Sequence, residues 1–235
     1  MQFKVRYKMT PQLSIEAYFE KIQSILREHG NPETAQGQIA YMKHQFDYFG
    51  LKAPVWLGIS KHFFNGNGVF QGENLKEFVR MCFDEPQREM NYIGLEMAQK
   101  AMKNEPEDFI HFLEELILTK SWWDSVDWLA KLAAMHLDRF PHQIKPITEG
   151  WMASENMWLQ RIAITFQRYF KKKTDADMLF DYILRLSHST EFFIQKGSGW
   201  ALREYGKVNP QAVLDFVENN KLPNLTRREA IRLII

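Results

Sequence analysis

Trp123 and Asp127 stand four residues apart in the stretch Thr119-Lys120-Ser121-Trp122-Trp123-Asp124-Ser125-Val126-Asp127-Trp128. At about 100° per residue, a helix places them on nearly the same face, one turn apart. An indole face and a carboxylate both attract positive charge, so the pair suits a flat, cationic ligand. A purely structural reading competes at each position. Tandem tryptophans in a helix mostly fill the core, and acidic residues in a first turn mostly complement the helix dipole. Asp124 fits that second role, with Ser121 as N-cap. Asp127 lies deeper in the helix, where neither explanation reaches it.

Three further stretches carry candidates. Met157-Trp158-Leu159-Gln160-Arg161-Ile162-Ala163 sets an arginine inside an apolar helix. Arg161 is either a snorkelling surface residue or a phosphate clamp. The stretch Glu191-Phe192-Phe193-Ile194-Gln195-Lys196-Gly197-Ser198-Gly199-Trp200-Ala201-Leu202-Arg203-Glu204-Tyr205 holds two glycines in a helical pattern. Each costs about 1 kcal/mol relative to alanine, so they mark close approach of another helix or of a ligand. Trp200 beside them is core or a second indole wall. In Ile39-Ala40-Tyr41-Met42-Lys43, Tyr41 is a contact residue or a plain amphipathic core residue. Lys171, Lys172, Lys173, Lys196, Arg203, Arg227 and Arg228 are candidates for phosphate contacts, or simply a solvated face.

Other chemistries find little support. Cys82 is the single cysteine, so no intramolecular disulfide or cysteine-built zinc site can form. The 7 histidines are scattered without metal-ligand spacing, and no metal or cofactor is expected. Asn65-Gly66-Asn67-Gly68 reads as a loop; its glycines do not match a dinucleotide fingerprint.

The elements that must position these residues are helical. Ile15, Phe19, Ile22, Ile25 and Leu26 form one apolar stripe, and similar spacings recur over Gln87–Lys103 and Glu107–Thr119. Later helices are predicted near Trp122–Ala134, His142–Trp151, Asn156–Phe170, Asp175–Leu186, Glu191–Tyr205, Gln211–Asn219 and Thr226–Ile235. Prolines 54, 86, 106, 141, 210 and 223 punctuate the joints, and Asn31-Pro32 reads as a cap followed by a first-turn proline. No run of period-2 alternation suggests a strand. Short helices with brief turns point to helical pairs stacked in a HEAT-like solenoid, a single all-α domain over 1–235 with a concave face. A globular helical bundle is the competing architecture.

Composition agrees with a real core: 45% hydrophobic, 25% charged and 14% aromatic. The net charge is only +1, but residues 157–235 carry 13 Lys and Arg against 8 Asp and Glu, while residues 1–156 carry 17 against 21. This polarity is compatible with an anionic partner on the C-terminal part. The N-terminus lacks a signal-peptide pattern and no apolar stretch approaches a membrane span, so a cytoplasmic, nucleoid-associated protein is expected.

Taken in order, KSWWDSVD, WLQRIAI and FFIQK-x-x-GW-x-LREY resemble the AlkD-type DNA alkylation repair glycosylases, a HEAT-like repeat family. The resemblance runs from about Asn31 to the end of the chain, leaving Met1–Pro11 as an extension without a counterpart. It implies a concave basic surface for duplex DNA and release of N3- and N7-alkylated purines without base flipping. It implies that Asp127 is the catalytic carboxylate, Trp123 and Trp200 the indole walls and Arg161 the active-site arginine; Tyr41 matches the tyrosine of a YMK stretch. A monomer suits such a solenoid. Departures are Ala53-Pro54-Val55-Trp56, where relatives carry basic residues, and Gly197-Ser198, where some carry bulkier ones. The alternatives are a non-catalytic binder of distorted or branched DNA and a protein-interaction scaffold. The retained Asp127 weighs against the first, the polarised charge against the second.

Overall fold

The structure, a computed structural model, describes residues 11–234. The N-terminal extension therefore lies outside the described residues apart from Pro11, as does Ile235. The chain is all-α with a helical-repeat fold. Among the described residues the only extended pairing outside helices is an isolated bridge between Asp47 and Gln87. The chain forms two compact units, one ending at Phe109 and the other beginning at Ile110.

The first unit contains α1 (Ile15–Glu28), α2 (Pro32–Tyr41), α3 (Ala53–Asn67), α4 (Gly72–Asp84) and α5 (Arg88–Ala101). Ser14 caps α1 by accepting the Ala17 N–H, and Tyr18, Ile22 and Leu26, four residues apart, are fully buried along one stripe. Tyr18 packs edge-on to Phe63 and Phe78 and donates its hydroxyl to the Gly68 carbonyl. Asn31 caps α2 with Pro32 in its first turn, as the dipeptide predicts. The Asn65–Gly68 run is not wholly a loop: α3 continues through Asn67 and stops at Gly68. At the start of α5, Glu89 accepts the backbone N–H groups of Phe49, Gly50 and Leu51, satisfying a buried turn with one carboxylate.

The second unit takes in most of α6 (Phe109–Leu118), then α7 (Trp123–Arg139), α8 (Ile144–Ala153), α9 (Met157–Thr165), α10 (Ala176–Arg185), α11 (Phe192–Gly206), α12 (Pro210–Asn219) and α13 (Asn224–Ile231). α9 packs against α7, α8 and α11, and α11 packs most extensively against α13. Two local expectations change. Trp122, not Ser121, is the N-cap of α7, and the Ser121 hydroxyl instead donates back to the Ile117 carbonyl. The helix predicted over Asn156–Phe170 is broken after Thr165. The chain tightens into a 3₁₀ turn at Phe166–Tyr169 and another at Lys171–Lys173. Gln167 closes this segment by accepting the Asp175 N–H at 2.7 Å, which turns the chain into α10.

One glycine of α11 explains the α11–α13 contact. A Cβ on Gly199 would lie 2.5 Å from Glu229 Cβ and 2.8 Å from the Thr226 carbonyl oxygen, so only glycine lets the helices approach this closely. Lys196 and Arg203 then reach Glu229 at 2.7 and 2.6 Å, locking the pair electrostatically.

Candidate active site

Three helices and a 3₁₀ turn of the second unit assemble the site. α7 contributes Asp127, α9 contributes Arg161, the turn after α9 contributes Arg168, and α11 contributes Trp200. Arg161 Nε donates to Asp127 Oδ1 at 2.9 Å and Nη2 to Oδ2 at 3.0 Å, a two-pronged grip that fixes the carboxylate plane. Its Nη1 donates to the Phe193 carbonyl. The arginine is 3% exposed, whereas the Asp127 side chain keeps 18% of its surface open. Gly197 makes room for this grip, since a Cβ there would stand 2.9 Å from Arg161 Nη1.

Burial raises the Asp127 carboxyl above its usual range, against the opposing pull of the Arg161 charge and hydrogen bonds and of the Arg168 charge. Asp127 is thus fixed in direction, reachable from one side, and poorly solvated. A carboxylate in that setting stabilises a nearby developing cation more than a hydrated one can.

Arg168 lies with its guanidinium carbon 3.1 Å from the centre of the Trp200 ring system. Its Nε and Nη1 are buried and donate to no acceptor among the described residues, while Nη2 donates to the Tyr169 hydroxyl at 3.5 Å. Each buried, unmade donor bond costs about 1–3 kcal/mol, so the fold holds this residue at some expense. A second group of rings flanks Arg161. Trp122 packs against Trp158 and Phe193 at 6.0 and 5.4 Å, and Phe192, which is exposed, edges onto Phe193.

Trp123 begins α7 one turn before Asp127, half-buried, and Trp200 is half-buried on α11. Tyr41 ends α2 in the first unit, 70% exposed. Arg161 does not fit the phosphate-clamp reading: its fork is occupied by Asp127 and it is buried. Lys196 and Arg203 are likewise committed to Glu229, and Lys173 pairs with Asp138 at 2.7 Å. Of Arg227, Nη1 donates to the Val217 carbonyl. Lys171 and Lys172 stay exposed. Sequence reasoning missed Arg168, Trp122 and Phe193. A signal for the first was available: Gln160-Arg161 and Gln167-Arg168 recur seven residues apart, the same helical face. No group of three or more His, Cys, Asp or Glu able to hold a metal ion occurs among the described residues. No helix among them is long and apolar enough to cross a membrane.

An all-helical repeat fold carrying an arginine-held aspartate among indoles defines the class. Residues 22–234 match the model of the DNA alkylation repair enzyme family, and the chain belongs to that family. A predicted DNA alkylation repair enzyme from Enterococcus faecalis is 32% identical, with 87% of this chain and 96% of that chain covered and a TM-score of 0.82. AlkD2 from Streptococcus mutans is similar in fold at 17% identity, covering 94% and 99%, with a TM-score of 0.63. The protein smu.31 from Streptococcus mutans UA159 is similar in fold at 16% identity, covering 92% and 98%, with a TM-score of 0.61. No curated protein matches the chain. Family membership carries an enzymatic role in DNA alkylation repair, with DNA as the partner.

Proposed function

We propose that this protein is a DNA glycosylase that releases positively charged N3- and N7-alkylated purines from duplex DNA, acting as a monomer and without flipping the base. The observation that carries this reading is the Asp127 carboxylate, buried, held by both prongs of Arg161, and still open on one side. Alkylation at N3 or N7 makes the purine a cation and a good leaving group. The glycosidic bond breaks with its electron pair going to the base, and positive charge develops on the sugar. Asp127 stabilises that charge and orients the water whose oxygen bonds to the sugar carbon, with the water proton passing to the carboxylate or solvent.

Arg161 is a positioning residue in this scheme. It directs Asp127 and does not touch the DNA. Trp123 and Trp200 form the aromatic walls against the sugar and its neighbouring backbone, where polarised C–H groups meet the negative ring faces. Tyr41 is a DNA contact outside the chemical step.

The test is release of methylated purines from methylated duplex DNA by the wild type and by Asp127→Asn. We expect release by the wild type and a fall of about 10²–10⁴-fold in the variant, the range for a general base that also offers charge stabilisation. Tight duplex binding with no release by either protein would replace this reading with the non-catalytic binder of distorted or branched DNA.

A further inference from the structure

Arg161 is turned inward onto Asp127, so its guanidinium fork is not offered to the DNA backbone. Beside the site lies a cavity of about 370 Å³ whose lining includes Arg168, Lys171, Lys172, Lys207, Glu204 and Tyr205. Four cations face it against one carboxylate, and that carboxylate, Glu204, is already taken by Lys207 at 2.7 Å. Lys171 and Lys172 are exposed and make no ion pair with a described residue. Lys171 sits at φ 54°, a left-handed conformation that is unfavourable for a lysine and persists where its surroundings impose it.

Arg168 joins the cavity to the reaction site. It lines the cavity, packs its guanidinium over the Trp200 ring, and contributes to the electrostatics of Asp127. Two of its nitrogens, Nε and Nη1, are buried and have no acceptor among the described residues. Stacking on the indole removes most of the side chain's rotational freedom, so an incoming acceptor meets a pre-oriented planar fork. Planar forks match the oxygens of a phosphate, and lysines beside them act as additional point charges.

We propose that this cavity is a phosphate site: it takes one phosphodiester of the DNA backbone beside the reacting nucleotide, with Arg168 as the principal donor and Lys171 and Lys172 as supporting charges. The proposal rests on the reading of this chain as a DNA-binding repair enzyme. It gives the role of phosphate clamp to Arg168 and leaves Arg161 to Asp127. It also ties backbone grip to the indole wall, because the side chain that holds the phosphate is the one stacked on Trp200.

Each phosphate contact contributes about 0.9 to the slope of log K against log salt concentration for duplex DNA. Binding of an unmodified duplex is therefore measured across salt for the wild type, Arg168→Gln and the double variant Lys171→Gln/Lys172→Gln, so that the result does not depend on excision. We expect the slope to become shallower by about 1 in Arg168→Gln, and by a smaller amount in the lysine variant. The exposed lysines keep the proposal falsifiable if Arg168→Gln fails to fold. Inorganic phosphate, titrated at constant ionic strength, should compete with the duplex in the wild type. Unchanged slopes in both variants overturn the proposal, and so does saturable inorganic phosphate binding that leaves duplex binding untouched, since that marks a site for a small free anion. A wild type that binds duplex with the expected slope changes but releases no methylated purine would sink the glycosylase reading and leave the phosphate site standing.

Discussion

On the proposed reading, the Asp127–Arg161 pair ties acidity to activity. Because burial raises the Asp127 carboxyl above 3.8, the acid limb of base release should lie at higher pH than an exposed aspartate would give. A pH–rate profile checks this, and a limb at or below the ordinary aspartate range would contradict it. The same shift has a stability consequence of fixed sign. A carboxyl whose folded-state pKa is raised contributes stability below its unfolded pKa and loses it as pH rises through the folded value. The wild type should therefore gain stability relative to Asp127→Asn on acidification, read as the difference in melting temperature across the acidic range. Arg161→Gln strips the grip and leaves a poorly solvated carboxylate. Breaking a fully buried pair costs about 3–5 kcal/mol, and the opening around Asp127 should bring the loss toward the lower end. Denaturant unfolding measures it, and Arg161→Lys should recover only part because one ammonium cannot replace the fork.

At the scale of elements, α11 does two jobs through two glycines on one helix. Gly197 faces Arg161 and Gly199 faces α13. Gly197→Ala pushes on the guanidinium and so displaces Asp127; displacement of this kind, by about 1 Å, can cost about 10²-fold in rate. Gly199→Ala forces α11 and α13 apart, an overpacking cost of about 1–3 kcal/mol. We expect Gly197→Ala to lower base release by about 10–100-fold. Gly199→Ala should lower the melting temperature by several degrees while release stays within a few-fold. Equal effects of the two substitutions on release would mean that α11 transmits no local adjustment to the site. The family resemblance marks Gly197 as a departure from bulkier residues; here it makes room for the arginine.

Across the whole chain, the excess of positive charge after residue 156 overstates what is available to DNA. Lys173, Lys196 and Arg203 are engaged by Asp138 and Glu229. The Lys196 hydrogen bond, helped by the Arg203 hydrogen bond and the charges of both cations, holds the Glu229 carboxyl below its usual range against the opposing effect of burial. Arg203→Gln should therefore act on the fold: the melting temperature falls, and the salt slope of duplex binding stays at the wild-type value. A slope shallower by about 1 would instead return Arg203 to the set of phosphate contacts.

Much of this protein is written in local spacing. Apolar periodicity determines helices such as α1, α7 and α11, because a stripe every three or four residues can be buried only one way. The WWDSVD run is enough to place Trp123 and Asp127 on one face of α7. Motif order is enough to identify the family. What local spacing cannot carry is the partner of a charge. Arg161 meets Asp127 across 34 residues of sequence, and Arg203 meets Glu229 across 26, only because α9 packs on α7 and α13 packs on α11. A sequence shows that an arginine is charged but not whether its guanidinium ends in water, on a carboxylate or on an indole. Those outcomes differ by burial, and burial is a property of the packed helices. The break after Thr165 is similar: periodicity runs on through Phe170, but the Gln167–Asp175 contact tightens the chain and turns Arg168 onto Trp200. The sequence thus determined the family and the candidate carboxylate. Tertiary structure decided which arginine serves Asp127 and which one is left with donors to spare.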